Sequence, residues 1–288
     1  MRNVEISTIT EAFLATLADD TTPRFRLLIT QLARHLHAFA RETELTHAEW
    51  RRALEFLMEA GRITTDERNE FVLISDVLGL SSLVDMTHSA PGGTPSSVLG
   101  PFHLLGAPAL PYGGDLKADL AGDTIVVSGV VSNVLGEPVP NVTLEIWQTA
   151  PNGLYSNQDP AMDSMALRCQ ARTRSDGAYL FSTVRPAPYS VPTDGPVGDL
   201  LRGMGRHAWR PAHFHFIAEA KGYRTLVTEV FPRDDPYIDT DAVFGVREDL
   251  LIEFVRQDSL EALPAGLAIA EKIKAPFYSV QFDIVLAA

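Results

Sequence analysis

Between Pro23 and Thr43 the apolar residues Phe25, Leu28, Leu32, Leu36 and Phe39 recur at steps of three and four, which places them on one face of a helix. Thr46-His47-Ala48-Glu49 has capping-box spacing: a hydroxyl and a carboxylate three residues apart satisfy each other's free amides. Trp50, Leu54 and Leu57 follow on a single face. Thr64-Thr65-Asp66-Glu67 repeats the capping signal and predicts a longer helix carrying Phe71, Ile74 and Leu78 toward His88. A helical unit this small has more apolar faces than it can cover, which predicts packing on a second domain or an identical partner.

The pattern changes between Ala90 and Gly114, where Pro91, Gly92, Gly93, Pro95, Gly100 and Pro101 exclude a long helix. Beyond it come short runs rich in β-branched residues: Thr124 to Val131, Val142 to Gln148, His213 to Ala220, Thr225 to Phe231 and Phe277 to Leu286. Apolar and mostly polar positions alternate from Val142 to Trp147, as in a strand with one buried face. Ser175-Asp176-Gly177 predicts a hairpin turn between Arg172-Thr173 and Tyr179-Leu180. The expected fold is mainly β: a C-terminal β-sandwich over residues 98–288, behind an N-terminal α-helical domain and linker over residues 1–97.

Composition narrows the function. The 288 residues carry a net charge of −13, and the first 97 contain nine Arg and no Lys against fourteen Asp and Glu, so no basic surface for nucleic acid is expected. No apolar run approaches the roughly 20 residues of a membrane span, and the start lacks the apolar core of a signal peptide. Cys169 is the only cysteine, which excludes an intrachain disulfide and fits a reducing, cytoplasmic setting.

The richest chemistry lies in Trp209-Arg210-Pro211-Ala212-His213-Phe214-His215. Histidines at i and i+2 share one strand face and can grip one ion, while Phe214 and Phe216 point into an apolar layer. Pro211 fits the first strand position, leaving Arg210 in the incoming loop, where a cation suits an anionic substrate or intermediate. Two imidazoles suit Fe, Zn, Cu or Ni; equally, both can be buried sheet histidines without a metal. Tyr155, in the turn Pro151 to Ser156, and Tyr189, in the proline-stiffened Pro186 to Pro192, stand outside the alternating strands. Residue chemistry alone leaves tyrosinate and carboxylate both open as further ligands.

Taken in order, Leu99-Gly100-Pro101-Phe102, Tyr155, Asp194-Gly195-Pro196-Val197-Gly198 and Arg210-Pro211-Ala212-His213-Phe214-His215 resemble the intradiol ring-cleavage dioxygenases over nearly the whole chain. The resemblance implies one non-haem Fe(III) per subunit held by Tyr155, Tyr189, His213 and His215. It implies that Tyr189 leaves when substrate binds, and that Arg210 stands beside the substrate. Tyr237 to Val246 and Gly205-Arg206-His207 are similar to the hydroxyquinol 1,2-dioxygenase branch, which opens benzene-1,2,4-triol to maleylacetate. By the same likeness the pocket is lined by Asp85, Val98, Leu99, Gly100, Pro101, Phe102, Val191 and Pro192. Asp85 either accepts a hydrogen bond from the third hydroxyl or is an exposed helix-end carboxylate. Glu229 departs from the family, which commonly places an uncharged hydrogen-bonding residue near there; facing the site, it would oppose an anionic substrate. The likeness further implies a homodimer joined through the helical segments, often with a phospholipid at the junction. Catechol or a substituted catechol is the alternative substrate. A non-catalytic β-sandwich carrier and a zinc hydrolase with a carboxylate ligand are the alternatives of other classes.

Overall fold

A computed structural model describes residues 4–65 and 68–288. The chain divides into two compact units, residues 1–59 and 60–288. The first holds α1 (Ile9–Leu14), α2 (Pro23–Glu42) and most of α3 (His47–Ile63). Pro23 opens α2, where its missing amide hydrogen costs nothing. The expected capping box forms before α3: Glu49 accepts from the Thr46 amide at 2.9 Å and its hydroxyl at 2.7 Å, and the Glu49 amide returns to that hydroxyl at 3.3 Å. The apolar stripe of α2 faces outward, with Phe25, Leu28, Leu32, Leu36 and Phe39 each at least 50% exposed.

The second unit begins with the end of α3, followed by α4 (Glu70–Val77) and α5 (Leu80–His88). The second capping signal includes Asp66 and Glu67, which lie outside the described residues; the cap of α4 is Asn69, whose side chain accepts the Phe71 and Val72 amides. The single helix expected toward His88 is broken at Gly79, where φ is +75°, and the two pieces meet at 74°. Helix α4 packs on α5, and its Val77 joins a buried apolar cluster with Trp147, Val191 and Val197. Buried Glu70 accepts the Val197 amide at the start of α6 (Pro196–Gly203), and Ser82 donates to the Phe244 carbonyl. The boundary expected at 97/98 thus falls well beyond the division between compact units.

The strands run in chain order as β1 (Ala109–Leu110), β2 (Gly114–Asp115), β3 (Thr124–Asn133), β4 (Thr143–Gln148), β5 (Arg168–Arg172), β6 (Ala178–Val184) and β7 (Tyr189–Ser190). They continue as β8 (Trp209–Arg210), β9 (Phe214–Glu219), β10 (Leu226–Pro232), β11 (Leu251–Ile252), β12 (Val255–Gln257), β13 (Phe277–Gln281) and β14 (Ile284–Leu286). One sheet has the order β1-β5-β4-β9-β10-β11, the other β12-β13-β3-β6-β2 with β14 also on β3, and β7 pairs only with β8. The main core lies between the two sheets and contains Leu144 and Ile146, Phe214 and Phe216, and Ile125 and Val127. Burying each phenylalanine is worth about 2–3 kcal/mol, so the register that turns Phe214 and Phe216 inward is strongly preferred. That register turns His213 and His215 to the opposite face.

Two strand expectations differ from the structure. Ser175-Asp176-Gly177 does form a turn, with Gly177 at φ +74° and the Arg174 amide bonded to the Ala178 carbonyl, but β5 and β6 belong to different sheets. Cys169 and Ala171 on one side and Tyr179 and Phe181 on the other all point into the core, so the strands face each other across it instead of pairing. Phe277 to Leu286 is split at Phe282 and Asp283, because the Asp283 carboxylate takes the Val130 amide in place of a backbone partner. No single described helix is long and apolar enough to cross a membrane.

Candidate metal centre

Across the outer face of the first sheet, strand register aligns four side chains: Arg168 opposite Trp147, Trp147 opposite His215, and His215 opposite Glu229. All four are at most 2% exposed. Trp147 lies flat on the His215 ring, centroids 4.5 Å apart and planes 6° apart, which fixes the imidazole plane. Gly100, at φ +71°, lets backbone close over the other side; a Cβ there would sit 3.3 Å from His215 Cε1. His213 directly precedes β9. Its Nδ1–H donates to the Pro211 carbonyl at 2.8 Å, so Nε2 carries the lone pair.

Tyr155 reaches the same point from the turn after β4. Its hydroxyl lies 3.0 Å from His213 Nε2 and 2.9 Å from His215 Nε2, and those nitrogens are 3.1 Å apart. Tyr189, on β7, has its ring centroid 5.4 Å from Tyr155 and 5.6 Å from His213, and its backbone pairs with Arg210. Phe102 stacks on Tyr155 at 4.6 Å. The four residues singled out in the sequence therefore meet at one buried spot.

The electrostatics suit a cation there. Burial, then the neighbouring Arg210, pulls His213 down to about 4, and burial followed by His213 pulls His215 well below the usual imidazole range; both rings are neutral lone-pair donors. Burial raises Tyr155 well above, and Tyr189 above, the ordinary phenol value, because phenolate charge is costly there; a bound cation inverts that preference. Three donor atoms about 3 Å apart match neighbouring ligands on an ion with bonds of about 2 Å. Glu229 also stands within ligand range of both histidines, so a two-histidine, one-carboxylate group is present as well. Its oxygens are already engaged: Oε1 accepts from Arg210 Nη1 at 2.7 Å, and Oε2 from Arg210 Nη2 and Ser97, both at 2.9 Å. The donor set thus fits a metal ion held by two imidazoles and up to two phenol oxygens.

Arg210 is placed differently from expectation. It is not in a loop before a strand beginning at Pro211; it lies in β8, paired with Tyr189, and β9 starts only at Phe214. Pro211 lacks the amide that would continue pairing, so residues 211–213 form the break between the two strands. The guanidinium is 2% exposed and lies between two carboxylates, Glu229 and Asp241, the latter bonded at 3.1 Å to Nε and 3.3 Å to Nη2. Glu229 thus does face the site, but as a partner of Arg210. Burial would lift its carboxyl, and the Arg210 charge outweighs that, leaving it below the usual range.

A cavity of about 540 Å³ opens onto this cluster. Val98, Gly100, Pro101, Phe102, Val191, Pro192, Tyr189 and Arg210 line it. Leu99 does not; the chain turns at Gly100 and leaves Leu99 43% exposed. Asp85 does not line it either, because the bend at Gly79 directs α5 away from the cavity wall. Two acidic residues of α4 line the wall: Glu70, held by Arg68 and the Val197 amide, and Asp76, 8% exposed and raised above the usual carboxylate value mainly by burial. Leu73, one turn before Asp76, lines the wall beside it. Sequence reading missed Asp76 and Leu73 because it carried the helical pattern through Gly79; a glycine followed by a fresh apolar run was the available signal. Asp241, inside the quoted Tyr237 to Val246 segment, was not singled out.

Comparison with known proteins agrees with this geometry. A family model described as "Dioxygenase" matches residues 114–288, and one described as "Catechol dioxygenase N terminus" matches residues 22–93. A 6-chlorohydroxyquinol 1,2-dioxygenase of Cupriavidus pinatubonensis is 45% identical over 259 residues, covering 89% of this chain and 94% of that protein. A hydroxyquinol 1,2-dioxygenase of Rhizobium sp. is 42% identical over 96% of this chain and 94% of its own length. The crystal structure of hydroxyquinol 1,2-dioxygenase from Pseudomonas putida DLL-E4 superposes with a TM-score of 0.91 at 39% identity, covering 98% of each chain. With a β-sandwich behind N-terminal helices, two tyrosines and a His-x-His pair converging at one buried point, and matches over most of its length, this chain belongs to the intradiol ring-cleavage dioxygenase family.

Proposed function

We propose that this enzyme is a non-haem ferric dioxygenase that opens hydroxyquinol (benzene-1,2,4-triol) between its adjacent hydroxyls, giving maleylacetate. The observation that carries the reading is the approach of Tyr155 Oη to within 3.0 Å of both histidine Nε2 atoms, with Tyr189 beside them. Tyr155, Tyr189, His213 and His215 would hold the ion. Phenolate oxygen is a hard, anionic donor, which favours a trivalent ion over the softer divalent alternatives. Bound there, ferric iron supplies the electron-withdrawing centre that makes a chelated diol open to O2.

The chain's own residues do the rest. Tyr189, paired along the strand with Arg210, would accept at Oη a proton from one substrate hydroxyl. Phe102, Pro101, Val191 and Pro192 hold a flat ring in the cavity and exclude water. Arg210, held rigidly by Glu229 and Asp241, presents preorganised positive charge to the cavity wall without reorganising. Asp76 accepts a hydrogen bond from the third hydroxyl of the triol, the role the sequence offered to Asp85. The names of the relatives from Cupriavidus and Rhizobium favour this substrate over plain catechol. The outward apolar stripes of α2 and α3 support a homodimer joined through these helices, with room for a phospholipid against them. Oxygen uptake by iron-loaded protein on hydroxyquinol, catechol and chlorocatechols, with product mass, tests the assignment. Preferential turnover of the triol to maleylacetate is expected, and equal rates on catechol would overturn the choice of substrate.

A further inference from the structure

We infer that Glu229 is a positioning residue of the metal centre. Its carboxylate stands 3.4 Å from the second ring nitrogen of His215 as the acceptor within reach of that N–H, holds Arg210 by one edge, and sets a fixed negative charge beside the ion that favours its trivalent state. The inference rests on the iron reading above.

Strand pairing alone brings the two residues together. Glu229 on β10 is directly opposite His215 on β9, so both side chains leave the same sheet face. With His215 Nε2 turned to Tyr155 and His213, the ring proton belongs on Nδ1. That nitrogen is buried and has no hydrogen-bond partner among the described residues; Glu229 Oε1 lies 3.4 Å away, just beyond ordinary hydrogen-bond distance. A metal-bound histidine whose other nitrogen faces a carboxylate is a stronger donor and is fixed in orientation. Glu229 itself is fully buried and cannot swing to solvent. Ser97 and Arg210 bind it, and the Gly245 backbone closes over the pair: a Cβ there would lie 2.6 Å from Arg210 Nη2 and 2.9 Å from Glu229 Oε2. The Arg210 charge is more than offset, since Asp241 holds its other edge. The balance of this trio is therefore negative, in a place where the family pattern commonly supplies a neutral side chain. A buried anion close to an ion stabilises the higher oxidation state.

Three variants of the iron-loaded protein, E229Q, E229D and D241N, separate this role from a merely structural one. Redox titration is expected to show E229Q lowering the preference for Fe(III) over Fe(II) about tenfold, which raises the midpoint potential by about 59 mV. E229D, which keeps the charge, and D241N, which removes an equal charge on the far edge of Arg210, should each shift it by less than half as much. In gallium(III)-loaded protein the His215 Nδ1–H proton resonance should be present in the parent and displaced in both E229D and E229Q; this readout serves even if one variant folds poorly. Equal shifts in E229Q and D241N, or an unmoved His215 proton, would overturn the inference. So would loss of metal binding in E229Q, which would make Glu229 a ligand. A parent protein that takes up no iron refutes the proposed function instead, before any variant is compared.

Discussion

Replacing Arg210 by Met tests whether its first duty is to the fold of the site. The guanidinium makes four hydrogen bonds to Glu229 and Asp241, at 2.7, 2.9, 3.1 and 3.3 Å, with all three side chains almost wholly buried. Methionine fills much of the volume but leaves two carboxylates facing each other out of water. Breaking one buried pair costs about 3–5 kcal/mol. The second carboxylate does not double that figure, because Asp241 keeps the Val243 and Gly245 amides and Glu229 keeps Ser97. The expected loss is therefore about 3–5 kcal/mol, a large part of the roughly 5–15 kcal/mol of a typical domain. Much of it should return in the double variant R210M/E229Q, where one of the stranded charges is gone. Urea unfolding of the metal-free parent, both single variants and the double variant, followed by tryptophan fluorescence, reads the interaction directly. R210M within 1 kcal/mol of the parent, or a double variant no more stable than R210M, would refute the reasoning.

Four further outcomes follow from the same geometry. Tyr155→Phe and Tyr189→Phe should each remove one phenolate donor, and the visible band of the iron-loaded protein should change in both; a variant with the parent spectrum would exclude that tyrosine. Asp76→Asn should lower the hydroxyquinol-to-catechol ratio of kcat/KM about tenfold or more, the scale of one hydrogen bond to a charged group, while Asp85→Asn leaves the ratio unchanged. Gly100→Ala forces an L residue to φ +71° against His215, costing about 1–2 kcal/mol, and metal affinity measured by chelator competition should fall. Finally, His213 has its folded value depressed to about 4 from 6.5 by burial, so the unfolded chain binds the extra proton first. Its contribution is complete above about pH 6.5 and is lost as pH falls toward 4, about 3 kcal/mol in all; urea midpoints of metal-free protein that stay flat across that window would contradict it.

What the sequence revealed were features governed by local periodicity. The step-two pattern around His213 assigned Phe214 and Phe216 to the core and the histidines to the other face, and the capping box fixed the start of α3 to the residue. Tyr155 and Tyr189 were found by ordered likeness to a family, since a tyrosine in a turn carries no intrinsic metal signal. What stayed hidden depended on long-range choices. Whether β5 pairs with β6 or faces it is decided by the partners β4 and β3, tens of residues away. Asp76 was overlooked because one left-handed glycine redirected a helix. The coupling of Glu229 and Asp241 through Arg210 joins residues from separate segments that no spacing rule connects.

The most direct test of the central claim is the visible absorption spectrum of protein carrying one ferric ion per chain, recorded before and after adding hydroxyquinol without O2. Two phenolates on iron predict a red protein whose broad band shifts as the diol binds and Tyr189 leaves. A colourless protein with a full equivalent of iron would contradict the account.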